Sequence, residues 1–341
     1  MIEKEPSASG APEALAHSFR GARVLITGGL GFIGSALAHR LVDLGSVVTL
    51  VDNELAHSGA NPFNIASIRE RVRLVAGDIR DPEVLSPLVA GQQYLFNLAA
   101  QTSHLGSMED PVTDLDINCR AQLLLLEACR AHAPGVSIVF ASTRQIYGKA
   151  DYLPIDERHP LRPPDVNGIN KMAGEIYHQL YCQAYGITAA ALRLTNCYGP
   201  RIRITDARQN FLGIWLRRVL EGEPFEVWGG EQLRDFTYID DVVDACLMTA
   251  TTGETRGRVF NLGGDGAVSL AALARLVVAA NGGGRFEIRS FPPERKRIDI
   301  GDYAADDSLF RRTTGWQPKV SLAEGLDRSL AYFRTHLAHY L

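Results

Sequence analysis

A chain of 341 residues allows two domains, or one large α/β domain with an appended lobe, at roughly 100–200 residues per domain. With 46% hydrophobic and 22% charged residues and a formal net charge of −4, disorder is excluded as the main state, and nothing invites a nucleic-acid or anionic-membrane partner. No apolar run is long enough to span a bilayer, the first twenty residues lack the apolar core of a secretory signal, and Cys119, Cys129, Cys182, Cys197 and Cys246 are scattered without a Cys-x-x-Cys, so a reducing cytoplasm is expected and a disulfide framework or zinc site is not.

Residues 1–20 read as a loose or partly helical arm. Short, nearly continuous apolar runs then follow at 23–27, 47–51, 72–75, 94–98, 137–141, 188–194 and 258–262. Such runs suit strands covered on both faces, as in a parallel sheet. Between the first two, Ile33, Leu37, Leu41 and Leu44 recur at helical spacing, and Gly45 is placed to end the helix. Further helices are expected over about 113–132 and 170–185, the latter ended by Gly186. This alternation predicts right-handed crossovers and a doubly wound parallel sheet over 21–195. Beyond Asn196 the loops lengthen, and 196–341 reads as a smaller C-terminal lobe, with 235–265 returning to the main sheet.

Gly28, Gly31 and Gly34 follow the first strand and open the first helix. Bare positions there tighten the turn, admit a pyrophosphate to the backbone and let the helix pack on the strand, while the helix N-terminus offers free N–H groups. Asp52, 18 residues after Gly34, ends the second strand, where a carboxylate accepts both adenosine ribose hydroxyls. Its neighbour is Asn53 and not an Arg, which favours NAD over NADP. Asp78 and Ile79 follow the third strand and suit the adenine, and Leu98, Ala99 and Ala100 are small enough at the fourth strand's end to let a cofactor pass.

TGGLGFIG (27–34), DIRD (78–81), NLAAQ (97–101), STRQIYG (142–148), LRLTNCYGPR (192–201) and RDFTYIDDVVDA (234–245) resemble the extended short-chain dehydrogenase/reductases, and within them the nucleotide-sugar epimerases and dehydratases. The likeness runs from about 22 to 335. It implies a Rossmann-type domain holding NAD, a nucleoside-diphosphate sugar between two lobes, and a homodimer built from the two helices over 113–132 and 170–185. It carries Gly28, Gly31, Phe32, Ile33, Gly34, Asp52, Asn53, Asp78, Ile79, Leu98, Ala99, Ala100, Asn118 and Lys171 over to the cofactor. Asn196, Arg234, Arg297 and Tyr303 fall where the family grips its substrate, and 209–211 opens a helix toward the nucleobase.

The family's chemistry uses a Ser/Thr, a Tyr, and a Lys four residues after the Tyr. The matching positions are Thr143, Asn167 and Lys171, so an amide stands where the phenol belongs. A carboxamide has no titratable proton near neutral pH and cannot be the base. Three readings stay open. Another group takes the proton (Lys171, or Tyr147, Tyr177 or Cys197), or the substrate brings a more acidic proton, or the protein binds NAD and a sugar nucleotide without turnover. Arg144 and Gln145 stand where dehydratases of this kind carry an Asp–Glu pair, which argues against water elimination. Arg144 instead suits a carboxylate or sugar hydroxyl, or is a surface cation. Asp240 and Asp241 read as caps of the following helix, and His57 and His104 as solvated or satisfied residues, although His104, just past the fourth strand's end, could approach the sugar. No His–carboxylate cluster has metal spacing. The leading expectation is an NAD-dependent nucleotide-sugar epimerase. Its alternatives are another NAD-dependent oxidation or decarboxylation of such a sugar, or a silent binding protein.

Overall fold

The computed structural model describes residues 11–55, 59–205, 210–296 and 298–341. Seven strands form the central sheet: β1 (Arg23–Thr27), β2 (Val47–Asp52), β3 (Val72–Ala76), β4 (Tyr94–Asn97), β5 (Ser137–Thr143), β6 (Thr188–Leu194) and β10 (Val259–Leu262). Their order is β10-β6-β5-β4-β1-β2-β3, and every pairing is parallel. The chain runs outward from β1 to β3, then crosses to β4 and runs outward the other way. Between β1 and β4 lies the topological switch point, where a crevice opens at the carboxyl ends of the strands. Alternation along β1 sends Val24 and Ile26 into one core and Leu25 into the other, so both faces of the sheet are covered.

After β6 come β7 (Asn196–Tyr198), β8 (Phe225–Trp228) and β9 (Leu233–Tyr238), and after β10 come β11 (Ala267–Ser269) and β12 (Phe286–Arg289). They make two small sheets, β11-β9-β7 and β12-β8, and residues of β7, β8 and β9 line a pocket beside the crevice.

The arm before β1 is helical over Ala11–Phe19, as one of its two readings has it, and Phe19 is fully buried against Tyr94 and Phe96. Two helices differ from the sequence expectation. The helix expected over 113–132 is Pro111–Leu115, a π turn over Asp116–Arg120 and Ala121–His132, a break that no sequence period announces. The helix expected from 170 starts earlier, at Val166, and runs to Tyr185. Asp165 caps it by accepting from the Gly168 amide at 2.7 Å, so Asn167 stands in the first turn and Lys171 one turn further on. Asp240 and Asp241 are not caps. Tyr238 occupies the cap position, and Asp241 accepts from the Lys319 and Val320 amides and ties down the C-terminal segment.

All five cysteines are free thiols, no described residues form a cluster able to hold a metal ion, and no described helix is long and apolar enough to cross a membrane.

Candidate active site

The crevice at the switch point is a cleft lined by Gly28, Gly31, Phe32, Ile33, Gly34, Asp52, Asn53, Asp78, Ile79, Leu98, Ala99, Ala100, Thr143, Asn167 and Lys171. Its floor is backbone. Gly28 has φ +70°, and a Cβ there would come to 3.0 Å from the Ala99 backbone, while one on Gly34 would meet the Gly28 carbonyl oxygen at 2.2 Å. Only glycine lets the turn close this far. The helix that follows, Phe32–Asp43, has no side-chain cap and no acid in its first turn, so its amide donors and positive dipole end stay open to an anion. Asp52 accepts from the Leu30 amide at 3.0 Å and the Glu54 amide at 2.9 Å, which aims it at the cleft, and burial raises its carboxyl above the usual range. These residues fit a dinucleotide: N–H groups for its phosphates and a fixed carboxylate for a ribose.

Asp78 stands beside Asn53, which donates to it at 2.8 Å. Arg80 grips the same carboxylate at 2.6–3.0 Å and holds it down to about 2. The sequence offers adenine or a helix cap as the role of Asp78; the cap is taken by Asp81, which accepts from the Glu83 amide at 2.9 Å. Asn118 is the exception among the expected cofactor residues. It is fully buried in the π turn, donates to the Gln101 carbonyl at 2.9 Å and does not line the cleft.

Thr143 ends β5, and its Oγ1 accepts from the Gln145 amide at 3.2 Å. Lys171 donates to the Ala141 carbonyl at 2.8 Å and lies 4.8 Å from the Phe140 ring centroid. Burial pushes its ammonium down to about 8. Asn167 is held by a network with no local sequence signal. Its Nδ2 donates to the Gln101 carbonyl at 2.7 Å and to Asp114 Oδ2 at 3.0 Å, and its backbone amide donates to Ser107 Oγ at 3.2 Å. Asn170 donates to the other oxygen of Asp114 at 2.8 Å. Both amide hydrogens of Asn167 are therefore committed, and its Oδ1 is left for the cleft.

A second pocket adjoins the first, lined by Arg144, Gln145, Asn196, Phe211, Trp215, Gln232, Arg234 and Asp299 among others. His104, Thr143, Thr195, Cys197 and Asn210 line both. Arg144 donates to Asn196 Oδ1 at 3.0 Å, and its Nε is buried with no hydrogen-bond partner among the described residues. Burial and the neighbouring Arg234 push its guanidinium down to about 10, so it is a wall cation and not a surface one. Arg234 is already paired, donating to Asp299 at 2.6 Å and to the Leu233 and Gly301 carbonyls. Tyr303, expected at the substrate, is fully buried behind Arg144, whose guanidinium lies 5.6 Å from its ring centroid, and it lines neither cavity. Apolar packing of its ring with Ile146, Tyr147, Ile155 and Ile300 accounts for the displacement. Arg297, Gln209 and His57 lie outside the described residues.

Two of the substitute bases are closed off. Tyr147 is fully buried, donates to Asn261 and accepts from Arg193, both at 2.6 Å, and burial lifts its phenol to about 12. Cys197 lines both cavities, but burial lifts its thiol to about 12, which keeps it protonated at neutral pH. Tyr177 lines neither cavity and packs at the edge of one core. The residues that sequence reasoning passed over are Gln101, Ser107, Asp114 and Asp165, each meaningful only through a partner more than fifty positions away or through a cap.

Comparison with known proteins agrees with this geometry. The UDP-glucose 4-epimerase of Mycolicibacterium smegmatis is 31% identical over 314 residues, covering 92% of this chain and 98% of its own. The crystal structure of a Thermotoga maritima UDP-glucose 4-epimerase with UDP-glucose superposes with a TM-score of 0.84 at 31% identity, over 92% of this chain and 99% of that one. The Thermus thermophilus UDP-glucose 4-epimerase complex with NAD gives 0.80 at 30% identity, over the same shares. The NAD dependent epimerase/dehydratase family model matches residues 24–263, and with its glycine turn, the Asp52 carboxylate in the cleft and its doubly wound sheet the chain belongs to that family of NAD-dependent enzymes.

Proposed function

We propose that the protein is an epimerase of a nucleoside-diphosphate sugar, working by transient oxidation of a ring hydroxyl. The observation that carries this reading is the composition of the junction between the two cavities. Thr143 stands there with Lys171 in the adjoining cleft wall, and none of the five shared residues is a carboxylate. Eliminating water by the Asp–Glu route calls for carboxylic acids at that point; taking hydride and giving it back calls only for a group that carries the hydroxyl proton. NAD, held by the glycine turn and Asp52, supplies the hydride acceptor. Thr143 hydrogen-bonds the reacting oxygen. Lys171, an ammonium at neutral pH, anchors the nicotinamide ribose and stabilises negative charge at that oxygen. Asn167 accepts a sugar hydroxyl through Oδ1. Arg144, Asn196 and Arg234 line the route for the diphosphate, and Arg144, with a free buried N–H, is the group that reaches for an anion.

The exposed apolar residues Val112, Leu115, Ile169, Ile176 and Leu180 lie on the helices Pro111–Leu115 and Val166–Tyr185, and we assign this face to a second copy of the chain in a homodimer acting in the cytoplasm.

The test is direct. Purified protein is scanned for bound NAD and incubated with UDP-glucose, UDP-glucuronate, UDP-N-acetylglucosamine and dTDP-glucose. A product of unchanged mass and inverted configuration is expected. Loss of water or carbon dioxide, or net accumulation of NADH, would assign the alternative chemistries, and binding without conversion would assign a silent protein.

A further inference from the structure

The proposed epimerase chemistry leaves one position unfilled: with Asn167 unable to titrate, some other side chain must take the hydroxyl proton. We propose that His104, oriented by Asp165, is that proton acceptor and donor, an inference that rests on the epimerase reading. His104 is one of the five residues shared by the cofactor cleft and the substrate pocket, and the one imidazole among them. About a third of its side chain is open to solvent, whereas the Asp165 side chain has no exposure at all.

Nδ1 of His104 lies 3.0 Å from Asp165 Oδ2. Asp165 is rigid: it accepts from the Gly168 amide and from Gln145 Nε2, both at 2.7 Å. Burial by itself would raise its carboxyl, yet the contact with His104 and these two donors hold it below the usual range, so it stays an anion behind the ring. An anion at Nδ1 selects the tautomer with its proton there, which leaves the Nε2 lone pair for a hydroxyl. The ring's own backbone is set by Ser103, whose Oγ accepts from the Gly106 amide at 3.0 Å and caps the short helix His104–Glu109. Because Asp165 also caps the helix bearing Asn167 and Lys171, the imidazole is tied to the same element as the rest of the site. Asp165 stands behind the ring; charged groups on the two cavity walls include Lys171 and Arg203 in the cleft and Arg144, Arg234 and Asp299 in the pocket.

The step balances within one turnover. As the carbon gives up hydride, the hydroxyl O–H bond breaks and its proton goes to Nε2, leaving a carbonyl. As hydride returns to the other face of that carbon, the proton passes back from Nε2 to the oxygen. Nothing is consumed.

The test uses H104Q, which keeps an N–H for Asp165 but no titratable nitrogen, and H104A with and without added imidazole. Each is assayed on whichever of the four sugar nucleotides the parent converts, beside bound NAD content and UDP affinity by calorimetry. The expected result is a fall in kcat of about a hundredfold or more in H104Q, with NAD content and UDP affinity within about twofold of the parent, and partial recovery of H104A by imidazole. D165N, which keeps the cap, should lose less. An H104Q that turns over at the parental rate with both ligands retained overturns the dyad and leaves the epimerase reading standing. So does an H104A that imidazole does not restore although it binds NAD and UDP. A parent that binds NAD but converts none of the four overturns the epimerase reading, and the role given to His104 falls with it.

Discussion

The two halves of the site are built by different means. The cofactor cleft is made of backbone: a glycine turn, an uncapped helix end and one carboxylate held by two neighbouring amides. The catalytic helix and the substrate wall are made of side chains held by other side chains. Asn167 and Asn170 share Asp114, Gln145 joins Asp165, and Arg144 joins Asn196 across fifty-two positions. In the second half, a lost partner leaves a buried polar group unpaired, which costs about 1–3 kcal/mol apiece.

The comparison is broken most severely at Gly34. A Cβ there meets backbone at 2.2 Å, so G34V should be purified without NAD and bind added NAD at least about a hundredfold more weakly, read by dialysis or calorimetry. Retained NAD would mean that the turn does not need its close approach.

Next comes the buried pair beneath the catalytic strand. Glu175 accepts from Arg193 at 2.6 Å and from Ser142 at 2.6 Å, next to Thr143. E175Q should lose about 3 kcal/mol and melt several degrees lower, because the Arg193 charge stays buried without its counterion.

A smaller effect tests the amide network. N167D replaces a donor by a carboxylate against the Gln101 carbonyl and Asp114, and should cost about 2 kcal/mol at neutral pH. The new carboxyl's pKa is raised in the folded state, so the penalty should shrink as pH falls and the group takes a proton. A denaturation series over pH would show it, and an unchanged midpoint would mean the network is loose.

The smallest change has the opposite sign. Lys171 is held near 8 when folded, against its ordinary 10.5. Below pH 8 it is charged in both states and burial penalises the folded one. Above that the penalty fades, and it is gone once pH has risen through the unfolded value. K171M should therefore be more stable than the parent by about 1–2 kcal/mol at pH 7, with the gain lost toward pH 10.5, and should have no turnover.

The chain order of elements, the parallel sheet and the cleft floor could be read from the sequence because their causes are local. Continuous apolar runs dictate strands covered on both faces, and three glycines with a carboxylate at the next strand end dictate a phosphate-binding turn. That Asn167 stands four residues before Lys171 is equally local, since it needs only the spacing along one helix. The tertiary structure alone decided what surrounds that amide. Asp114, Gln101 and Ser107 reach it from a different segment, and Tyr303 goes under Arg144. It alone also brought His104 and Asp165, sixty-one positions apart, to 3.0 Å. Hydrophobic period and turn chemistry act over a few residues. The pairing of buried polar groups acts through space, and no pattern along the chain records which partner each one finds.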